Sequence, residues 1–544
     1  MINAYTVLLA GLAIPAILMC GCTSIRDYVT NGFKVGPNYA RPPAPVAKSW
    51  IDATDKRVRS ETEDISKWWT VFKDPVLDQL ICYAYKQNLT LRQAGFRVLE
   101  ARAQLGIAVG NFFPQTQTAT GSYNWTAESA ETPLSTFIPQ RFFGTYTYGF
   151  NLAWQLDFWG RFRRAIESAD DTLDASVEGY DDALVTLLGD VATNYVSMRT
   201  FQERIAYAQS NVKLQSDTLK IAEARFRAGA VGELDVVQAQ SNLSQTEATI
   251  PEFEINLRQA NNQLCILLGI PPEDLQAKIG PAPIPSAPVD VAIGIPADLL
   301  SRRPDVRRAE RTAAAQCAQI GVAETDMYPM FSITGTFGYS AEFFHNLWNP
   351  SAFQGSAGPS VSWNILNYGR ILNNVRLQDA TFQELVVAYQ SSVLNAQLEV
   401  ENGLVTFLKA QTATKFQNES VVAAEKAVKI VLAQYQAGAV DLTRVVQIEE
   451  NLVQQQDTLA VDKGQIATGL IQTYEALGGG WQLRCTGCDP QALAPQQTGT
   501  PPATTLPPAT TLQPATTRPP AVGPSTPVQP MALPVPMPKD GKGQ

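Results

Sequence analysis

The chain has 544 residues, 45% of them hydrophobic, and a formal charge of −9. That acidic balance argues against a nucleic-acid partner, and a single histidine, His345, argues against histidine-based metal sites and histidine catalysis. Seven cysteines, at 20, 22, 82, 265, 317, 485 and 488, are too sparse and scattered for the disulfide framework of a small secreted domain.

Residues 4–22 form the only long apolar run, and its core, 7–19, is shorter than a comfortable membrane-spanning helix. It closes on Met19-Cys20-Gly21-Cys22. A short apolar run ending in Gly-Cys resembles a bacterial lipoprotein signal, in which residues 1–21 are removed and the Cys22 thiol carries the lipid. An ordinary secretory signal is the alternative: no Lys or Arg precedes the run, and Met19 and Cys20 are unusual at their lipobox positions. Both readings export the chain. Residues 22–64 are polar and proline-punctuated, which predicts an extended tether, lipid-anchored under the first reading.

Helical periodicity starts near Trp68-Trp69, continues through Leu77, Leu80 and Ile81 to Phe112, and ends at Pro114. The period then becomes two. Tyr146, Tyr148, Phe150, Leu152, Trp154 and Leu156 share one face, while Thr145, Thr147, Gly149, Asn151, Ala153 and Gln155 share the other. Residues 116–125 alternate less cleanly. Phe331, Ile333, Phe337 and Tyr339 alternate with Ser332, Thr334, Thr336 and Ser340, and Val361, Trp363 and Ile365 with Ser360, Ser362 and Asn364. Two strand hairpins are therefore predicted, over 115–156 and 331–366. An apolar face opposite a Ser/Thr face fits a soluble sheet on a core, or a transmembrane barrel with lipid outside and water inside.

Helical spacing returns at Leu173, Val177, Tyr180, Leu184, Leu187, Val191, Tyr195 and Met198, a coiled-coil seam. The stretch Ala228-Gly-Ala-Val then recurs as Ala437-Gly-Ala-Val, an offset of 437 − 228 = 209. The same offset relates Trp154 to Trp363, Gly160-Arg161 to Gly369-Arg370, and Phe226 to Tyr435. The chain thus holds one unit twice: 65–295, with long helices over 158–268 and a proline-rich linker, and 296–480, with long helices over 370–477. Gly229 and Gly438 are placed to stop each long helix and turn the chain back. Pro251 is expected to kink or break the first return helix. Residues 481–544 end in Pro-Ala-Thr-Thr repeats, a composition that cannot build a core.

One chain offers only four membrane-length strands, which cannot close, and open strand edges are not tolerated in lipid. A membrane barrel must then be shared: two chains leave little lumen beyond side chains, while three leave room for a pore. The helices would continue that barrel as a tube. A lipid-anchored coiled-coil spacer is the competing reading, though a spacer has no need of amphipathic strands. No nucleophile, metal or phosphate constellation argues for an enzyme, and nothing calls for a cofactor.

Several motifs resemble the TolC-type outer-membrane efflux proteins, in their lipoprotein branch. The most specific is Arg302-Arg303-Pro304-Asp305-Val306, running on to Tyr328-Pro329; Val35-Gly36-Pro37-Asn38-Tyr39, Phe72-Lys73-Asp74-Pro75 and the two Trp-to-Gly-Arg strand exits accompany it. The resemblance implies an α+β membrane protein: a homotrimer whose twelve-stranded barrel in the outer membrane is continued by a helical barrel in the periplasm. It implies a periplasmic adaptor and an inner-membrane pump of the resistance-nodulation-division type as partners, or, on the same fold, a conduit for type I protein secretion.

The resemblance also places Phe226, Arg227, Gly229, Tyr435 and Gly438 at adaptor-contacting tips, and the closed aperture between Asp441 and Glu450. Gln447 stands where the family has an aspartate and Glu450 where it has an arginine, so Glu449 and Glu450 would ring the aperture with like charge; a solvated helix face is the alternative. Cys485-Thr486-Gly487-Cys488 reads as a local disulfide formed after export, since two further zinc ligands and a βαβ context are both missing.

Overall fold

The computed structural model describes residues 24–59, 61, 64–131 and 140–488. The apolar N-terminus with Cys22, and the repeats beyond 488, lie outside them. After α1 (Pro75–Gln87), the first unit runs α2 (Leu89–Gly110), β1 (Thr116–Ala127), β2 (Phe142–Gln155), α3 (Arg161–Arg227) and α4 (Glu233–Leu267). The second runs α5 (Pro304–Thr325), β3 (Met330–Ala341), β4 (Phe353–Ser362), α6 (Arg370–Gln436) and α7 (Leu442–Ala476). Both long helices have 67 residues and both return helices 35, with starts separated by 209 (370 − 161 and 442 − 233). Sixty-seven residues span roughly 100 Å.

Local chemistry sets these ends. The Asp74 carboxylate caps α1 by accepting from Val76 N and Leu77 N, with Pro75 in the first turn. Gly160 and Gly369, at φ +86° and +80°, make the left-handed step from strand exit to helix start, twice at equivalent positions. α4 continues through Pro251, so the expected break does not occur there. Pro251 lies on an exposed face together with Glu247, whose carbonyl loses its usual donor without being buried.

The strands form one antiparallel sheet in the order β1-β2-β3-β4. Phe150 lies opposite Phe337 and Tyr123 opposite Tyr146, with ring centroids 5.4 and 4.5 Å apart. The hydroxyls of Ser332 and Ser360 meet at 2.8 Å, those of Thr336 and Ser356 at 3.1 Å. Aromatic and hydroxyl groups thus pair within their own faces. β4 ends earlier than the alternation suggests: Trp363 has left the ladder and donates to Met327 O at 3.0 Å, as Trp154 donates to Phe112 O at 3.3 Å. No helix among the described residues is long and apolar enough to cross a membrane.

Because α4 and α7 are about half the length of their partners, the strand-side halves of α3 and α6 lack a return helix. α2 lies along α3 there, and α5 along both. Arg307, Arg308 and Arg311 of α5 reach Glu178, Asp182 and Asp171 of α3 at 2.6, 3.2 and 3.4 Å. Further along, one core joins the two units. Trp68, Trp69 and Phe72 pack with Leu77 and Ile81 of α1, Leu184 and Tyr195 of α3, Leu404 and Phe407 of α6, and Leu470 and Tyr474 of α7. Each fully buried aliphatic or aromatic side chain there contributes ~1.5–3 kcal/mol.

Arg303, from the most specific motif, is buried at this junction. It forks onto Asp305, donates to Glu399 at 2.7 Å, and donates to the Ala476 carbonyl at the end of α7 at 2.8 Å. Its role is to fasten α5, α6 and α7 together. The segment at 43–57 is likewise fastened: Pro43 O, Ala47 N, Ile51 N and Arg57 bond in turn to Gln390, Gln397, Glu401 and Leu408 O along α6.

The expected Cys485–Cys488 pairing does not occur. Cys488 is bonded to Cys82 of α1, Cα atoms 5.6 Å apart, and Cys485 is an exposed free thiol. The reason is that the chain after α7 folds back onto the core. Arg484 forks onto the buried Asp181 carboxylate of α3 at 2.6 and 3.0 Å, which brings Cys488 beside α1 and leaves Cys485 outside.

Candidate functional site

Each long helix ends in the same motif. Gly229 and Gly438 adopt φ +71° and +77°. Ala230 N donates back to Arg225 O, and Ala439 N to Gln434 O, both at 2.9 Å, closing the last carbonyls of the helix. The turn then enters α4 or α7. Asp441 caps α7, accepting from Arg444 N at 3.1 Å, so its carboxylate is occupied at the helix start.

The tip residues divide. Phe226 is 44% exposed, and Arg227, Gly229 and Gly438 are exposed as well. Tyr435, the repeat equivalent of Phe226, is 1% exposed and is not available at the tip surface. Its hydroxyl donates to Asp235 of α4 at 3.0 Å, the Arg225 guanidinium of α3 lies over its ring at 4.5 Å, and Arg225 also donates to its carbonyl. The phenol that Phe226 lacks therefore ties the second hairpin to the first. Burial, then the bond to Asp235, push its pKa up to about 12, so it remains a donor throughout the physiological range.

The aperture candidates divide as well. Gln447 and Glu450 are exposed on α7. Glu449 is 1% exposed and belongs to no ring of free carboxylates: it is buried between helices, accepting from Thr218 of α3 at 2.6 Å and from Asn242 of α4 at 3.1 Å. Helix phase explains the split, since adjacent residues point about 100° apart. Sequence reading missed Asp235, Thr218 and Asn242. A signal existed: Asn211, Gln215 and Thr218 continue the apolar seam of α3 at helical spacing, polar residues where a seam is normally apolar. No group of three or more His, Cys, Asp or Glu among the described residues is placed to hold a metal.

The opposite end of the helices carries the sheet. Its aromatic face is open, with Trp125, Tyr148, Phe337, Phe353 and Val361 all exposed. β1 and β4 are its edges, each paired on one side only. Such a sheet presents an apolar surface and two rows of unpaired backbone groups at once.

The family described as outer membrane efflux protein matches residues 80–270 and 295–479, which includes both units. Nodulation protein T of Rhizobium leguminosarum bv. trifolii is 32% identical over 442 residues, covering 80% of this chain and 92% of the relative. The solvent efflux pump outer membrane protein SrpC of Pseudomonas putida is 30% identical over 461 residues, 83% and 96% of the two chains. The solved structure of the outer-membrane channel OprN superposes with a TM-score of 0.77 at 30% identity, covering 82% of this chain and 99% of that one. With both repeated units inside the match, the chain belongs to the outer membrane efflux protein family.

Proposed function

We propose that this chain is the outer-membrane channel of a tripartite efflux system. Three copies close a twelve-stranded barrel, four strands from each, and their helical hairpins continue it as a tunnel into the periplasm. The observation that carries this reading is the four-stranded sheet with one exposed aromatic face, one hydroxyl face and two unsatisfied edges, set at the end of helices roughly 100 Å long. Edge-to-edge pairing with further copies satisfies every backbone group, turns the aromatic face to lipid and encloses the hydroxyl face around water.

The exposed tips, with Phe226, Arg227, Gly229 and Gly438, are the surface for a periplasmic adaptor, beyond which stands an inner-membrane pump of the resistance-nodulation-division type. Energy comes from the pump, so the chain itself acts as a passive conduit with no catalytic group or cofactor. Exposed Gln447 and Glu450 are the side chains available to line the aperture, beside the capping Asp441. Relatives named for solvent, toluene and cation efflux support small solutes as cargo over exported protein. Cleavage after residue 21 and acylation of Cys22 add a lipid anchor beside the barrel.

The test is single-channel recording from the purified full-length chain in planar bilayers. Discrete openings, from a species whose native mass is that of three chains, are expected. A chain that attaches to lipid yet never conducts overturns the channel reading and favours a structural spacer.

A further inference from the structure

Between the tips and the main core, the two hairpins meet through polar groups. On the tip side lies an apolar cluster of Ala222, Ala239, Val431, Val445 and Val446; a second, on α6 and α7, holds Val421, Val428, Leu452 and Leu459. Alongside them one stripe of α3 carries Asn211, Gln215 and Thr218, all buried. Asn211 donates to Gln456 of α7 at 2.9 Å, Thr218 meets Glu449, and the buried Gln215 amide has no hydrogen-bond partner among the described residues.

Glu449 is the one ionisable member of this seam on α7, and its surroundings suit the neutral acid. Thr218 Oγ1 has one hydrogen for two acceptors, Glu449 Oε1 at 2.6 Å and Leu214 O at 3.2 Å, a conflict that a hydrogen on the carboxyl relieves, while Oε2 accepts from Asn242 Nδ2 at 3.1 Å. The charged groups on the surrounding turns are Lys213, Asp217 and Lys220 of α3, Glu247 of α4, Glu425, Lys426 and Lys429 of α6, and Arg444 and Glu450 of α7. All are exposed. Asp217 and Lys220 pair with each other at 2.8 Å, and none of these groups forms an ion pair with Glu449. An ionised carboxylate in that position is a buried charge without a counter-ion, which is strongly unfavourable.

We propose that Glu449, a buried carboxyl shared by three helices, is the positioning residue that holds the tip-side half of α7 against the first hairpin and so keeps the tip end of the tunnel closed. The tunnel in this statement rests on the channel reading above; the docking of α7 does not. The sign follows from linkage. Burial, partly offset by the bonds from Thr218 and Asn242, raises the Glu449 pKa from 4.5 to about 7 when docked. In water the group returns to its ordinary value. Docking is therefore fully favoured below about pH 4.5. It weakens by up to ~10-fold per pH unit as pH rises towards 7, and is flat above.

The experiment compares wild type with E449Q, whose amide donates to Thr218 and accepts from Asn242 as the neutral acid does. Hydrogen exchange of peptides within 442–456 is measured on both full-length proteins at pH 5, 6, 7 and 8, and expressed as a wild-type to variant ratio so that intrinsic pH effects cancel. The ratio should be no more than a few-fold at pH 5 and rise by a further ~10-fold or more by pH 8. In bilayers, wild-type open probability should rise over the same range while E449Q stays low. A flat exchange ratio, or E449Q following the wild-type pH profile, overturns the clasp. Absence of conductance from both proteins, with the exchange ratio still rising, overturns the channel reading and the gating half of the proposal while leaving the docking role standing.

Discussion

Tyr435 and Phe226 stand 209 residues apart on equivalent steps of two long helices, yet one is locked and the other bare. The difference is a single oxygen, which finds Asp235 at 3.0 Å. Y435F keeps the ring beneath Arg225 and removes only that bond to a carboxylate. Such bonds contribute ~1.5–3 kcal/mol, and Asp235 near the tip recovers part of that from water, so the net loss should be about 1 kcal/mol. Limited proteolysis between residues 225 and 240 should then run a few-fold faster in Y435F, with the thermal midpoint nearly unchanged; an unchanged cleavage rate would mean the hydroxyl is not what fastens the tips. Roles at this scale were the least legible in the sequence. Repeat symmetry assigns Phe226 and Tyr435 the same task, and adjacency suggests pairing Cys485 with Cys488 and grouping Glu449 with Glu450. The outcomes depend instead on which face of a helix packs against a segment some 200 to 400 residues away, as with Thr218 to Glu449 and Cys82 to Cys488.

Elements were far more legible, because their punctuation is local. Left-handed glycines at 160, 229, 369 and 438 and the Asp74-Pro75 cap each act within a few residues. Less readable is how closely the helices approach. A Cβ on Gly469 of α7 would fall 2.7 Å from Phe407 N, and one on Gly403 of α6 would fall 2.8 Å from Thr473 N. These contacts are with backbone, which cannot rotate aside. Ala in place of Gly gains ~1 kcal/mol of helix propensity. Overpacking a rigid helix contact costs ~1–3 kcal/mol, and more when backbone must move. The clash should win, so G469A should lower the thermal midpoint by several degrees; a rise would show that α6 and α7 have slack. Pro251 reflects the same asymmetry: its missing N–H was readable in the sequence, but the exposed helix face that tolerates it was not.

At the scale of the whole molecule, duplication places two sheet hairpins side by side and two helical hairpins around one core, yet leaves the sheet open at β1 and β4. The sequence carried this architecture as far as one chain goes, because alternation and offset are visible without a partner. The bond from Cys82 to Cys488 adds a closure of another kind. It joins residues 406 positions apart and makes nearly all of the described chain a covalent ring. A single protease cut at an exposed tip such as Gly229 opens the ring without dividing the molecule. Nicked protein should therefore migrate as one band on a non-reducing denaturing gel and as two after thiol reduction, whereas a C82S variant should give two in both lanes. A tip clipped in service would stay stapled to its own protomer, so damage at the exposed end need not release a fragment.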